Sequence, residues 1–159
     1  MAWPGGQGSE VFRVRGVRLW SATLQMLRQH IVFGAGLSGF ADRLAPFWNA
    51  NHPERFMDPH NIVLNFWVET GLLGLVAFAW ILVSAFAVTW RGWRSAPSYW
   101  RPIELGVLLA LVALVAHGLV DVPYFKNDLS LQFWALVALA WAGSKEVWVR
   151  NANKATQPV

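Results

Sequence analysis

The chain contains no cysteine, few charged residues and no apolar segment at its N-terminus. Without cysteine, disulfide bonds and thiol chemistry are excluded across all 159 residues. The first residues, MAWPGGQGSEVFRVRG, lack the apolar core of a secretory signal, so we expect no cleavable signal peptide. The four histidines show no H-E-x-x-H spacing and there is no D-x-D pair, so we predict neither a metal site nor a cofactor.

A glycine-rich segment at residues 34–39 matches the G-x-G-x-x-G pattern of dinucleotide-binding proteins. No strand precedes it and no βαβ unit surrounds it, so a dinucleotide site is not predicted. We interpret the segment instead as a backbone turn whose exposed N–H groups contact phosphate.

Apolar residues and tryptophan are the abundant components of the chain. Apolar residues make up 55% of the sequence and charged residues 14%, and many of the 11 tryptophans flank apolar stretches. Tryptophan at such positions is typical of the membrane–water interface. The net charge of +4 comes from basic residues beside these stretches. We therefore attribute the charge to membrane topology and predict no nucleic-acid partner.

Three stretches without charge predict an all-α, polytopic membrane protein with three transmembrane helices. The longest uncharged stretch runs from Thr70 to Trp90 and is long enough to cross a hydrocarbon core of about 30 Å. An extracytoplasmic amphipathic helix and a Gly/Pro loop are predicted to precede the spans. The predicted segments are a flexible N-terminus (1–17), helix and loop (18–61), a three-span region (62–144; spans at about 66–90, 103–121 and 128–145) and a tail (145–159).

The distribution of basic residues predicts the orientation in the membrane. The loop at 91–101 carries three arginines and no acid, and the tail is also basic, whereas the turn at 121–128 is acidic on balance. Positive-inside reasoning places the 91–101 loop and the C-terminus in the cytoplasm. His60 and Asp121 are then on the same extracytoplasmic side.

His60 stands where a polar turn meets the first predicted span, so an ionisable ring lies near the water–lipid boundary. Imidazole can accept a proton near neutral pH, and the alternative is a hydrated or helix-capping role. Asn61 either orients the imidazole or caps the helix. Glu69 falls on the opposite helix face, where a structural hydrogen bond or an ion pair with a helix outside the chain is predicted.

Four stretches of the sequence together resemble one family. They are His60-Asn61 followed by Gly71-Leu-Leu-Gly74, Arg18-Leu-Trp20, Gly34-Ala-Gly36-Leu-Ser-Gly39-Phe40, and His117-Gly-Leu-Val-Asp121-Val-Pro123-Tyr-Phe125. In order and spacing they resemble the O-antigen ligase/polymerase superfamily of membrane glycosyltransferases. Members typically have ten or more spans, so the chain resembles their C-terminal portion, and a missing N-terminal membrane half is a possible partner.

The resemblance implies a reaction and a set of site residues. The family transfers a glycan from undecaprenyl-pyrophosphate to lipid A-core, another glycan or a protein acceptor on the extracytoplasmic face. It implies a metal-independent, inverting transfer, with His60 as general base, Arg18 on the pyrophosphate and Asp121 as support. Asn61, Gly36 and Gly39 are the predicted substrate-binding residues.

Several of these roles have alternatives. Arg18 is equally suited to anchoring on lipid headgroups, and Asp121 shares a helical face with His117 and so could pair with it. The alternative functions are a truncated non-catalytic or transporter-like member of the superfamily, or one half of a split enzyme. Ligase, polymerase and protein glycosyltransferase are not distinguished by the residues.

Overall fold

Helices are the only regular secondary structure in the residues that the computed structural model describes, which are 5–48, 55–95, 97, 99–125 and 127–155. The predicted all-α class is confirmed there. Parts of the predicted N-terminal segment (1–4), loop (49–54) and tail (156–159) lie outside the described residues. The helices are α1 (Gly5–Gln29), α2 (Phe40–Leu44), α3 (Ile62–Ser95), α4 (Arg101–Gly118) and α5 (Asn127–Ala155).

Two of these helices, α3 and α4, are long and apolar enough to cross a membrane. An apolar helix in a soluble protein is buried in its core, yet α3 exposes Leu73 (81%), Val83 (67%) and Trp80 (75%). Such a surface is suited to lipid. The predicted third span lies inside α5, and its crossing of a membrane stays a prediction. The first helix begins at Gly5, ahead of the amphipathic segment predicted from Arg18.

The chain divides into two compact units. Unit 1 comprises residues 1–76 with 119–122, and unit 2 comprises residues 77–118 with 123–159. The core of unit 1 is formed by one face of α1, by α2 and by the start of α3, where Leu19, Ala22, Met26, Leu27, Phe40, Leu44 and Val68 are buried. In α1 these apolar positions recur every three or four residues, which is the amphipathic pattern that the sequence predicted.

The helix α3 is interrupted at Gly71. Its backbone angles there are φ 72° and ψ −175°, a conformation that is essentially restricted to glycine. The Val68 carbonyl, four residues before Leu72, accepts hydrogen bonds from Ala35 and Gly36 of the loop instead. The Leu72 amide donates to the Val32 carbonyl at 2.9 Å. The loop after α1 is therefore built into the helix at the break.

Unit 2 is packed from aromatic and small side chains. Phe78, Tyr124 and Phe133 form a cluster with ring centroids 5.3 to 5.7 Å apart. Glu104, in the first turn of α4, is completely buried, and neither carboxyl oxygen has a hydrogen-bond partner among the described residues. A Cβ atom at Gly92 or Gly143 would collide with this carboxyl group, so two glycines make room for it.

Candidate functional site

The turn that precedes α3 holds His60 in an unusual conformation. Its φ is 49°, in the left-handed region that residues with a side chain rarely adopt. The Asp58 carboxylate accepts a hydrogen bond from the His60 backbone N–H at 2.9 Å, and the same oxygen lies 2.9 Å from the ring Nδ1. The left-handed backbone thus brings the backbone nitrogen and the ring Nδ1 of His60 to the same carboxylate oxygen of Asp58.

The contact with Asp58 determines which ring nitrogen of His60 is free. An Nδ1–H that donates to the carboxylate leaves Nε2 of the neutral ring as the proton acceptor. The His60 side chain is 53% exposed and so is accessible from solvent. The turn thus presents an oriented imidazole at the start of a helix that is apolar further along.

Two aromatic contacts hold this turn in place. The Trp20 indole donates a hydrogen bond from Nε1 to the Pro59 carbonyl at 3.0 Å, which ties the turn to α1. Pro59 itself is fully buried. The Phe56 ring meets the His60 ring edge to face at 6.1 Å. The His60 turn is therefore fixed by its neighbours, which stabilises the strained backbone.

Asn61 makes hydrogen bonds with both ends of its side chain. Its Oδ1 accepts from the backbone N–H groups of Val63 and Leu64, both at 3.1 Å, so Asn61 is the N-cap of α3. Its Nδ2 donates to the Leu119 carbonyl at 3.0 Å. Asp121, half-buried, is two residues further on. This hydrogen bond places the segment that contains Leu119 and Asp121 next to Asn61, the residue that follows His60.

The amides of the glycine-rich loop are already occupied. Gly36 N–H donates to the Val68 carbonyl at 3.1 Å, and Gly39 N–H donates to the Gly36 carbonyl at 2.9 Å. Ser38 N–H donates to the Glu69 carboxylate at 2.7 Å. The prediction of exposed N–H groups for phosphate does not fit these contacts. A substrate contact at Gly36 or Gly39 stays a prediction, and it cannot use these amides while the loop is intact.

Glu69 therefore has the structural hydrogen bond that the sequence predicted, but its partner is different. The donor is the loop backbone of this chain and not a helix outside it. Ser38 has a φ of 58°, and the charged acceptor stabilises this left-handed residue.

Arg18 is exposed on α1, whereas two other arginines of unit 1 are paired. Arg43 contacts the His30 ring at 3.2 Å, and Arg55 pairs with Asp42. Residues two apart on a helix point about 200° apart. Because Trp20 faces the His60 turn, Arg18 leaves α1 on the opposite flank of its buried face. The structure does not join Arg18 to His60 through any hydrogen bond between described atoms.

Part of this chain is similar to a known protein family. The model of the O-antigen ligase family matches residues 12–79. The resemblance is confirmed over this segment. No curated protein and no solved structure matched the chain in the corresponding comparisons. Residues 12–79 are thus similar to the O-antigen ligase family, and together with the two apolar helices this supports an O-antigen ligase-like membrane protein.

The O-antigen ligase match covers the continuous part of unit 1 from within α1 to the start of unit 2. Arg18, Gly36, Gly39, His60 and Asn61 lie inside it. Asp121 lies outside it, although Asn61 contacts its segment. The matched segment and unit 1 thus nearly coincide.

Sequence reasoning missed Asp58. An aspartate commonly bonds the backbone N–H two residues on, and this local pattern was visible in Asp58-Pro59-His60. The second bond to the ring was not visible, because it depends on the left-handed φ of His60. The contact of Trp20 with Pro59 was also missed, since it joins residues far apart in the chain.

Proposed function

We propose that this chain transfers a glycan from undecaprenyl-pyrophosphate to a hydroxyl group of lipid A-core, another glycan or a protein. Unit 1 provides the side of the site that activates the acceptor. The observation that supports this most directly is the pair of 2.9 Å contacts between Asp58 and His60, which leave Nε2 as an exposed base. The family match over the same residues supports the reaction type.

In the proposed step, the acceptor oxygen attacks the anomeric carbon of the donor glycan. The hydroxyl proton moves to Nε2 of His60, and the bond from the anomeric carbon to the pyrophosphate oxygen breaks. The pyrophosphate leaves with the electron pair, and the configuration at the sugar inverts. Asp58 keeps the ring oriented and stabilises the imidazolium that forms. Asp121 supports this side through the segment held by Asn61.

Arg18 is the proposed contact of the departing pyrophosphate. A guanidinium stays charged and donates two parallel hydrogen bonds to phosphate oxygens. Arg18 and the His60 turn are on opposite flanks of α1, whereas the pyrophosphate is bonded to the same anomeric carbon that the acceptor attacks. This contact therefore requires the long Arg18 side chain to extend around α1 toward the His60 turn.

The proposed location is the bacterial inner membrane, with several spans and a cytoplasmic C-terminus. The arginine-rich loop at 91–101 supports this orientation. His60 then faces the extracytoplasmic side, where the undecaprenyl-linked glycan is presented. A separately encoded N-terminal half is a proposed partner, because family members have more spans than this chain provides.

The decisive experiment is transfer by the purified full chain in vesicles supplied with an undecaprenyl-pyrophosphate glycan and lipid A-core. We expect the His60→Ala variant to lose about 100-fold or more of the rate, since general-base catalysis contributes 10²–10⁴-fold. His30→Ala is the matched control, because His30 contacts Arg43 and takes no part in the proposed step.

Four results bear on the proposal. Loss with His60→Ala and retention with His30→Ala support it. Transfer that survives His60→Ala overturns the role of His60. No transfer by the chain alone, with transfer restored by a co-expressed N-terminal membrane half, shows a split enzyme, whereas no transfer in either case favours a non-catalytic protein.

A further inference from the structure

The loop after α1 exposes large apolar side chains at its surface. Ile31 (51%), Val32 (57%), Phe33 (85%) and Leu37 (79%) are exposed within seven residues. Single exposed apolar residues are common in proteins, but a contiguous set marks an interaction surface. We call these four residues the apolar tip.

Several backbone groups of this loop are hydrogen-bonded inside the protein. The carbonyls of His30, Ile31 and Val32 accept from Gly34 N–H, the Trp67 indole and Leu72 N–H respectively. On the donor side, the amides of Ala35 and Gly36 reach the Val68 carbonyl, and Ser38 reaches the Glu69 carboxylate. Non-helical backbone enters hydrocarbon only when its polar groups are satisfied in this way.

The apolar tip is also continuous with the helix that is suited to cross the membrane. Val32 is hydrogen-bonded to Leu72, the residue that restarts α3 after the break at Gly71. From Leu72 to Trp90 the helix has no charged residue, and Leu73 is 81% exposed. The tip is thus fixed to the first turn of the apolar helix, at the level where that helix enters a bilayer.

We propose that the apolar tip inserts into the acyl-chain region of the lipid bilayer beside the start of the apolar part of α3. The hydrogen bonds of the loop lower the cost of burying its polar backbone groups, and the four apolar side chains gain by leaving water. The loop would then set the depth at which unit 1, and with it the His60 turn, stands at the membrane. This inference depends on membrane insertion of α3 and not on the chemistry of His60.

The absence of cysteine allows a direct test on the full chain. Single variants Phe33→Cys and Leu37→Cys, labelled with a nitroxide, are reconstituted in vesicles of phosphatidylethanolamine and phosphatidylglycerol. Leu73→Cys is the reference in the apolar helix, and Gln29→Cys is the exposed polar control at the end of α1. Collisions with oxygen, which concentrates among acyl chains, are compared with collisions with a water-soluble nickel chelate.

We expect labels at Phe33 and Leu37 to collide more often with oxygen than with the nickel chelate, as the label at Leu73 does. The label at Gln29 should collide more often with the nickel chelate. Higher accessibility to nickel than to oxygen at the tip would overturn the proposal. Shielding from both reagents would also overturn it, because the tip would then be covered by protein.

A second measurement avoids substitutions in the loop. The wild-type chain is irradiated in vesicles that contain a phospholipid with a photoreactive group on its acyl chain. Adducts on the peptide containing residues 31–37 support insertion. Adducts on α3 without any on this peptide contradict it, and both readouts are independent of transferase activity.

Discussion

The two units of this chain are stabilised in different ways. Unit 1 combines its apolar core with specific hydrogen bonds between distant segments, such as Trp20 to Pro59 and Asn61 to Leu119. Unit 2 relies on close packing of helices, with Gly92 and Gly143 making space for a buried Glu104. Hydrogen bonds fix direction as well as distance, so unit 1 is suited to orienting reactive groups. Packing of small residues is suited to helices in lipid, where the hydrophobic effect does not drive them together.

The largest effect should follow from substituting the glycine on which unit 1 depends. Gly71→Ala places a Cβ against the Val32 carbonyl and forces a strained φ of 72°. We expect a loss of about 2–4 kcal/mol in the free energy of unfolding of unit 1. Limited proteolysis in detergent, followed at cleavage sites in unit 1, measures this loss.

Gly106→Ala is the matched control for this prediction. No atom lies within 4 Å of a Cβ built there, and the residue is inside α4. The substitution should be neutral or slightly stabilising, by up to about 1 kcal/mol. Equal sensitivity of both variants would show that the break at Gly71 is not what stabilises unit 1.

The second prediction concerns the packing of unit 2. In Gly143→Ala the new methyl group collides with the Glu104 carboxyl, and overpacking of this kind costs about 1–3 kcal/mol. Adding Glu104→Ala should recover part of this loss, because it removes the colliding group. A double-mutant cycle measured by thermal unfolding gives the coupling, and additive effects would contradict the proposed contact.

The third prediction tests the orientation of His60. Asp58→Asn has nearly the same shape but no charge to stabilise an imidazolium, so we expect at least about a tenfold lower rate. The loss should appear in kcat with little change in KM for the donor. Asp42→Asn, which removes an exposed partner of Arg55, is the matched control. A change in KM alone would assign Asp58 to substrate binding.

The smallest expected effect is that of Asn61→Ala. Loss of an N-cap costs about 1 kcal/mol, and here the bond to Leu119 is lost as well. The variant Asn61→Ser keeps a capping oxygen and loses only the reach to Leu119. Hydrogen exchange at Val63 and Leu64 separates the two: Ala should speed exchange at both amides, and Ser should not.

The sequence was sufficient to predict the features of this site that depend on neighbouring residues. It predicted the all-α class, the position of His60 before α3 and, as one of two roles, capping by Asn61, because composition and cap residues act locally. It did not predict the break at Gly71. The apolar pattern continues through that residue without interruption, and the reason for the break lies in the loop around Val32.

Long-range contacts also explain what was missed in the site. The amides of the glycine-rich loop were expected to be free, but the Val68 carbonyl and Glu69 carboxylate occupy several of them. These acceptors come from a helix some thirty residues away in sequence. The direction in which Arg18 leaves α1 is known only from the hydrogen bond between Trp20 and Pro59. That bond joins residues far apart in the chain, so no local sequence pattern predicts it.

The interruption of α3 also couples two motions. In a continuous helix the Leu72 amide would donate to the Val68 carbonyl, so the loop and a straightened helix compete for the same atoms. When the loop detaches, the Leu72 amide and the Val68 carbonyl either pair with each other or are left without partners. We therefore expect release of the loop and straightening of α3 to be one cooperative event, in which the amides of Ala35, Gly36 and Leu72 exchange with solvent at a common rate.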